Sequence, residues 1–304
     1  MGRCSIIKYV LRRGGPAFVL VSLAMANDST SLAQEATSQP AEAEPTINFL
    51  GLEAAPLTEP LVTDRPDFTE STLPVPFGHV QLETGYTFTY DDEDGRRVSD
   101  QTFPEALMRI GVVKDWELRL GWTGWSLTEE LFMEENDSGR KVRREEHDDG
   151  GTDMIVGFKR YLLPQEGLRP ELGVIGELSL PTGTDTKSSG DVDPQVKILW
   201  SYELPADFAL SGNLNLAVPT SEEGRFFQTS ASVSLAYSLT DWMGMYVEYF
   251  GFYPNDRWTD CAHTVNGGFT FLITDNLQFD VRTGAGLNEE ADDFFTGAGL
   301  SMRF

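Results

Sequence analysis

The sequence predicts an all-β fold, a transmembrane antiparallel up-and-down β-barrel of about 12 strands. Three observations carry that expectation. The chain closes on Phe304, the last member of an alternating stretch in which Phe294, Thr296, Ala298, Leu300, Met302 and Phe304 share one face. Its first residues have the layout of an export signal. Between the two ends, alternating segments of strand length recur, and one face of nearly every segment is free of charge.

At the N-terminus, Arg3, Lys8, Arg12 and Arg13 form a basic region, Ala17–Met25 a short apolar core, and Ala24-Met25-Ala26 an A-x-A cleavage pattern. Residues 1–26 therefore read as a secretory signal peptide. The apolar run is shorter than the roughly 20 residues a membrane helix needs, and no later segment approaches that length. Removing the signal leaves Cys261 alone, so no internal disulfide is expected. Residues 27–62, rich in Ala, Glu, Pro, Ser and Thr without periodicity, read as a disordered periplasmic leader, because they bury too little apolar surface to offset ordering entropy.

From residue 63 onward the period is 2. The segment 78–90 places Val80, Leu82, Thr84, Tyr86, Phe88 and Tyr90 on one face and His79, Gln81, Glu83, Gly85, Thr87 and Thr89 on the other. Comparable strands are expected at 104–114, 116–126, 151–162, 169–181, 191–203, 206–218, 226–240, 242–253, 262–273, 277–287 and 294–304. Most match the roughly 9–11 residues of a tilted membrane strand. The connections alternate as well. Tight turns are expected at 114–115, 163–168, 204–205, 240–241 and 274–276, and longer loops at 91–103, 127–150, 182–190, 219–225, 254–261 and 288–293.

Charge chooses the faces, because a charged side chain at the bilayer midplane costs roughly 2–4 kcal/mol on the lipid side of a barrel. Glu83, Glu105, Arg109, Glu117, Arg119, Asp153, Lys159, Glu171, Glu177, Asp193, Lys197, Glu248, Asp280, Arg282 and Arg303 are therefore assigned to the lumen as a candidate solute path. Nine acids oppose six bases in this set, which predicts a mild preference for cations or neutral solutes. Trp116, Tyr202, Tyr237, Trp242 and Phe304 fall on the turn side, and Tyr90, Trp125, Phe252 and Tyr253 on the loop side, as aromatic girdles would. Asp64, Arg65 and Asp67 precede the first strand and cannot face lipid, so they are candidates for a plug at the periplasmic mouth.

The run Thr63-Asp64-Arg65-Pro66-Asp67-Phe68-Thr69-Glu70-Ser71 carries a resemblance together with Gly151, Asp153, Gly157 and Lys159, Leu180-Pro181-Thr182-Gly183, and the ending Gly299-Leu300-Ser301-Met302-Arg303-Phe304. As an ordered set over residues 63–304, these resemble the outer-membrane family known as Putative MetA-pathway of phenol degradation. The resemblance implies a barrel protein or transporter linked with aromatic compounds, and carries no set of functional residues. The terminal strand also resembles the signal by which outer-membrane barrels are recognised, which makes the barrel-assembly machinery and outer-membrane lipid the expected partners.

Other functions are disfavoured. The formal charge of −25 opposes nucleic-acid binding. His79, His147 and His263 are the only histidines, and none stands beside a recognisable nucleophile motif, so no catalytic residue is expected. The acidic runs near Asp91 and Glu129 lack calcium-loop spacing, and no Cys/His cluster has zinc spacing, so neither metal nor cofactor is expected. The expectation is thus a channel for small solutes, aromatic or hydrophobic ones among them. A non-conducting structural or adhesive barrel is the alternative.

Overall fold

The structure, a computed structural model, describes residues 46–48, 51–93, 95–135, 140–221, 224–255 and 260–304. The expected signal peptide and the first part of the leader lie outside them. In chain order the strands are β1 Thr46–Ile47, β2 Glu53–Ala54, β3 Val80–Glu93, β4 Arg96–Val113, β5 Trp116–Trp122, β6 Trp125–Glu135, β7 Lys141–Gly151, β8 Met154–Leu163 and β9 Glu171–Leu180. They continue as β10 Asp193–Leu204, β11 Phe208–Ala217, β12 Thr220–Ser221, β13 Gly224–Arg225, β14 Gln228–Thr240, β15 Met243–Pro254, β16 Ala262–Thr274, β17 Leu277–Gly286 and β18 Phe294–Arg303.

Fourteen of these strands form one antiparallel sheet that closes where β18 meets β3, with Phe294 opposite Tyr90 and Arg303 opposite Gln81. Only twelve positions are occupied around the barrel. β5 and β6 are one path interrupted at Thr123-Gly124, and β7 and β8 are another, interrupted at Thr152-Asp153. The inner half of β4 pairs with β5 from Ala106 to Val113, and its outer half pairs with β6 from Arg97 to Phe103. Gly124, at φ 115°, allows the break, and its carbonyl accepts bonds from the amide and hydroxyl of Thr152.

The tight turns lie where expected, and two of them rest on non-glycine residues at positive φ, Asp115 in one and Ala206 with Asp207 in the other. Two of the expected long loops, however, are strand. Residues 91–93 and 96–103 extend β3 and β4, and residues 127–135 and 141–150 pair as β6 and β7 in a hairpin that continues past the rest of the barrel wall. Cross-strand ion pairs favour the hairpin form over a solvated loop: Arg96 with Glu130, Arg97 with Asp92, and Arg144 with Glu134.

Burial is inverted relative to a water-soluble protein. Leu82, Leu118, Leu120, Val156, Phe158, Val196, Leu214, Val233, Val247, Phe269 and Leu300 are exposed on the outer face, whereas Gln81, Glu83, Arg109, Glu117, Arg119, Lys159, Glu248 and Asp280 are buried inside. Aromatic pairs ring the turn side, with Trp116 against Phe158 at 5.5 Å and Phe208 against Tyr237 at 4.6 Å. Phe252 departs from its expected girdle position, since it meets Phe68 inside the barrel.

Residues 51–62 are ordered, against the expectation of a disordered leader through residue 62. Ala54 and Leu61 are buried, the Ala55 amide donates to Phe77 O, and the Leu61 amide donates to Asp275 O. The other cysteine of the chain, Cys4, lies outside the described residues, and with it the expectation for Cys261.

Candidate functional site

A lumen lined by both charge signs must either hold water and ions or be filled by compensating protein groups, because an unpaired buried charge is costly. Here the compensation comes from the segment that precedes β3. Its contacts reach strands around most of the circumference. The segment enters at the tight-turn end, where Arg303 donates to Glu59 O, climbs to an apex near Asp67 and Phe68, and returns to His79, whose ring is bonded to Phe304 O and Ala55 O.

Asp64 is the centre of the network. Its carboxylate lies 2.5 Å from Arg119 Nη1, 2.7 Å from Lys159 Nζ and 3.4 Å from Arg109 Nε. Those three cations come from β5, β8 and β4, and each is almost fully buried. Arg109 is held further by Glu117 and Glu83, both at 2.9 Å, and donates to the carbonyls of Val62 and Leu73 on the two arms of the inserted segment. Arg119 also reaches Glu70 at 2.8 Å and Glu177 at 2.9 Å, and Lys197 joins the same two acids at 3.0 and 2.9 Å. Barrel bases are thus shared between two acids of the inserted segment, Asp64 and Glu70, and three of the strands, Glu83, Glu117 and Glu177.

On the opposite wall, Arg65 bonds Glu105 at 2.6 Å and lies 3.4 Å from Asp280. Small residues make its slot: a Cβ at Gly85 or Gly299 would fall 2.5 or 2.3 Å from Arg65 side-chain atoms. Arg282 donates to Pro66 O and to Thr87 Oγ1, both at 2.8 Å. Glu248 accepts the backbone amides of Phe68 and Thr69 at 2.8 and 2.7 Å, so a strand carboxylate caps the turn at the apex. There Phe68 stacks on Phe250, with centroids 4.6 Å apart and planes 11° apart, and meets the edge of Phe252 at 5.4 Å.

Asp67 lines a cavity of about 590 Å³ together with Thr69, Glu70, Thr72, Glu171 and Glu203. Gln165 and Gly167 of a tight turn also line it, so the cavity faces the tight-turn end. Toward the other end the lumen is lined by Ile155, Glu177, Ser179, Asp193, Gln195 and Pro219.

Two residues assigned to the lumen sit at its outer rim. Asp153 accepts the amides of Thr182, Gly183 and Ser189 and so fixes the loop after β9. Asp193 accepts from Thr220 Oγ1 at 2.7 Å. In the loop before β10, Asp191 is held below the ordinary carboxylate range by the Val192 amide and by Arg225. The remaining expected residues, Glu83, Glu105, Arg109, Glu117, Arg119, Lys159, Glu177, Lys197, Glu248, Asp280 and Arg282, converge on the inserted segment, as do Glu171, which accepts from Thr72, and Arg303, which donates to Glu59 O. Sequence reading missed the anchoring roles of Glu70, Phe68 and Thr69. Their signal was the alternation of acids, bases and one aromatic in the run 64–70, next to a polar strand face containing glycines.

With this geometry in view, three comparisons bear on the chain. Residues 63–304 match the family described as Putative MetA-pathway of phenol degradation. Among solved structures, an outer membrane channel from Pseudomonas putida F1 is similar with a TM-score of 0.53 and 15% identity, covering 79% of this chain and 99% of that one. The translocator domain of the autotransporter NalP from Neisseria meningitidis is similar with a TM-score of 0.48 and 11% identity, covering 74% and 88%. No curated protein matches. The first of these structures shares the barrel fold with this chain.

Proposed function

The chain belongs to the family described as Putative MetA-pathway of phenol degradation, and from that premise we propose that it is a gated outer-membrane channel for small solutes. The segment from Leu61 to His79 is its gate. The observation that carries this reading is the origin of the compensating charge. Asp64 and Glu70, which share Arg109, Arg119, Lys159 and Lys197 with the strand acids Glu83, Glu117 and Glu177, belong to an inserted segment that is covalently continuous with the barrel wall at Val80. Those three strand acids face four bases, so the charge balance of the lumen is completed only by the inserted segment.

The exposed apolar exterior and the twelve-position closure support insertion in the bacterial outer membrane after export by residues 1–26. The terminal strand with Phe304 is read as the handle for the barrel-assembly machinery. Transport, with no catalysis, is the role. Aromatic solutes are favoured by the faces of Phe68, Phe250 and Phe252 in the lumen and by the family's association with phenol.

Single-channel recording of the refolded full chain in planar bilayers tests the gate. Wild type is expected to be closed for most of the record, with brief steps. Asp64→Asn, which removes the charge shared by three cations, is expected to lengthen the open periods severalfold. Phenol added to the open variant is expected to reduce its current. Two well-folded proteins that never conduct would return the molecule to a structural role.

A further inference from the structure

A buried polar atom without a hydrogen-bond partner is costly, and folded proteins keep few of them. Among the described residues nine buried side-chain atoms have no such partner, and they are unevenly spread. None belongs to β3, β4, β5, β8, β9 or β10, the strands that hold Asp64 and Glu70. Five belong to β15–β18: Tyr246 OH, Asn266 Oδ1, Asp280 Oδ2, Arg282 Nε and Ser301 Oγ. Tyr246, Asn266, Asp280 and Ser301 are each at most 7% exposed.

Strand register arranges these five as a ladder on the inner face. Ser301 lies opposite Gln278, near the tight-turn end. Two residues further along β17, Asp280 lies between Gly299 and Thr270. Two further again, Arg282 lies opposite Gly268, which pairs in turn with Tyr246. Asn266 stands at the next level, between Gly284 and Glu248. Every level from Ser301 to Asn266 thus carries an unpartnered group, and successive levels are about 7 Å apart along the strands. The ladder spans about 20 Å, most of the roughly 25 Å apolar band of a membrane barrel. Its upper end lies beside Glu248, two residues from the Phe250 ring on which Phe68 stacks.

Arg65 crosses the ladder at the level of Asp280. It reaches from the inserted segment over Gly85 and Gly299 to Glu105 and Asp280, and its own Nε has no partner. Its distance to Asp280 is 3.4 Å, against 2.5 and 2.7 Å for Asp64 with Arg119 and Lys159. The segment is held more closely by β5 and β8 than by β17. We propose that small solutes pass between the inserted segment and β15–β18, exchanging hydrogen bonds from one level to the next, and that Arg65 closes this route. A permeant must be bound well enough to enter and weakly enough to leave, and single groups at successive levels meet that need. The solutes that fit carry both donors and acceptors, because the ladder offers a carboxylate oxygen, an amide oxygen, two hydroxyls and a guanidinium N–H. This route rests on the channel reading.

The test measures the reaction of a small cationic methanethiosulfonate reagent with cysteines placed in the folded full chain, wild type with Cys261 giving the background. Ser301→Cys and Asn266→Cys should each react severalfold faster than Ile175→Cys, a position equally buried and opposite Lys159 on the facing wall. In planar bilayers Arg65→Ser should stay open for severalfold more of the record than wild type. The reagent should then lower the current when Ser301→Cys or Asn266→Cys is added to Arg65→Ser. Asp64→Asn serves as a second open background if Arg65→Ser does not fold, and faster migration on gels before heating identifies folded variants. Cysteines at 301 and 266 that react no faster than the one at 175 would overturn the proposal. A current that ignores reaction at both positions would overturn the route and leave the channel reading standing. Labelling without current in any variant would overturn both.

Discussion

Gly299 and Glu70 show what single residues do in this molecule. Gly299 sits on the polar face of β18 and gives up a side chain so that Arg65 can lie against the wall. Gly299→Val should push Arg65 from Glu105 and Asp280 while leaving the outer face of β18 unchanged. The expected outcome is increased protease cleavage within residues 61–79, with the strand content of the barrel retained by circular dichroism. Glu70 is held between Arg119 and Lys197, and Glu70→Gln removes one partner from two buried cations. Each cation keeps another carboxylate, so the cost falls below the roughly 3–5 kcal/mol of an uncompensated buried charge, and the inserted segment should release at a lower denaturant concentration than in wild type. A single unfolding transition at the wild-type midpoint would contradict that.

At the level of elements, the tight-turn end and the opposite end follow different rules. Tight turns are short enough for their register to be set by the turn itself, and register shifts beside the turns at 114–115, 241–242 and 275–276 let the strands twist into them. The β6–β7 hairpin is an appendage whose strands continue β5 and β8 in unbroken register, with Trp122 opposite Met154 and Trp125 opposite Gly151. Replacing residues 127–149 by a two-residue turn should therefore leave the barrel closed. Fast migration before heating, equal to that of wild type, is the measurement. The sequence indicated a solvated loop here because dense charge on both faces hides the period of 2. Alternation between apolar and polar residues identifies strands that face lipid, and this hairpin faces neither lipid nor a core.

For the whole molecule, closure depends on the last strand meeting the first. The Phe304 amide donates to Val80 O, and the Val80 amide returns the bond to Phe304 O. Phe304 itself is exposed on the outside. Deleting Phe304 removes one rung of the closing seam and the terminal aromatic, so the fraction of protein that reaches the outer membrane in cells should fall severalfold, while refolding in detergent changes little. Equal loss in both settings would locate the defect in the seam and not in recognition during assembly.

The sequence by itself determined the barrel, its strand count, the face that meets lipid and the side on which the tight turns lie. Each of these follows from local rules: a period of 2, the cost of charge in lipid, and the spacing between turns. It also placed Asp64, Arg65 and Asp67 off the lipid face. Only the tertiary structure decided how far that segment enters, because depth depends on which cations converge from β4, β5 and β8. Arg109, Arg119 and Lys159 are far apart in the chain and share no sequence pattern with Asp64. Closure of the sheet brings them within reach of one carboxylate, and burial makes that carboxylate hard to replace.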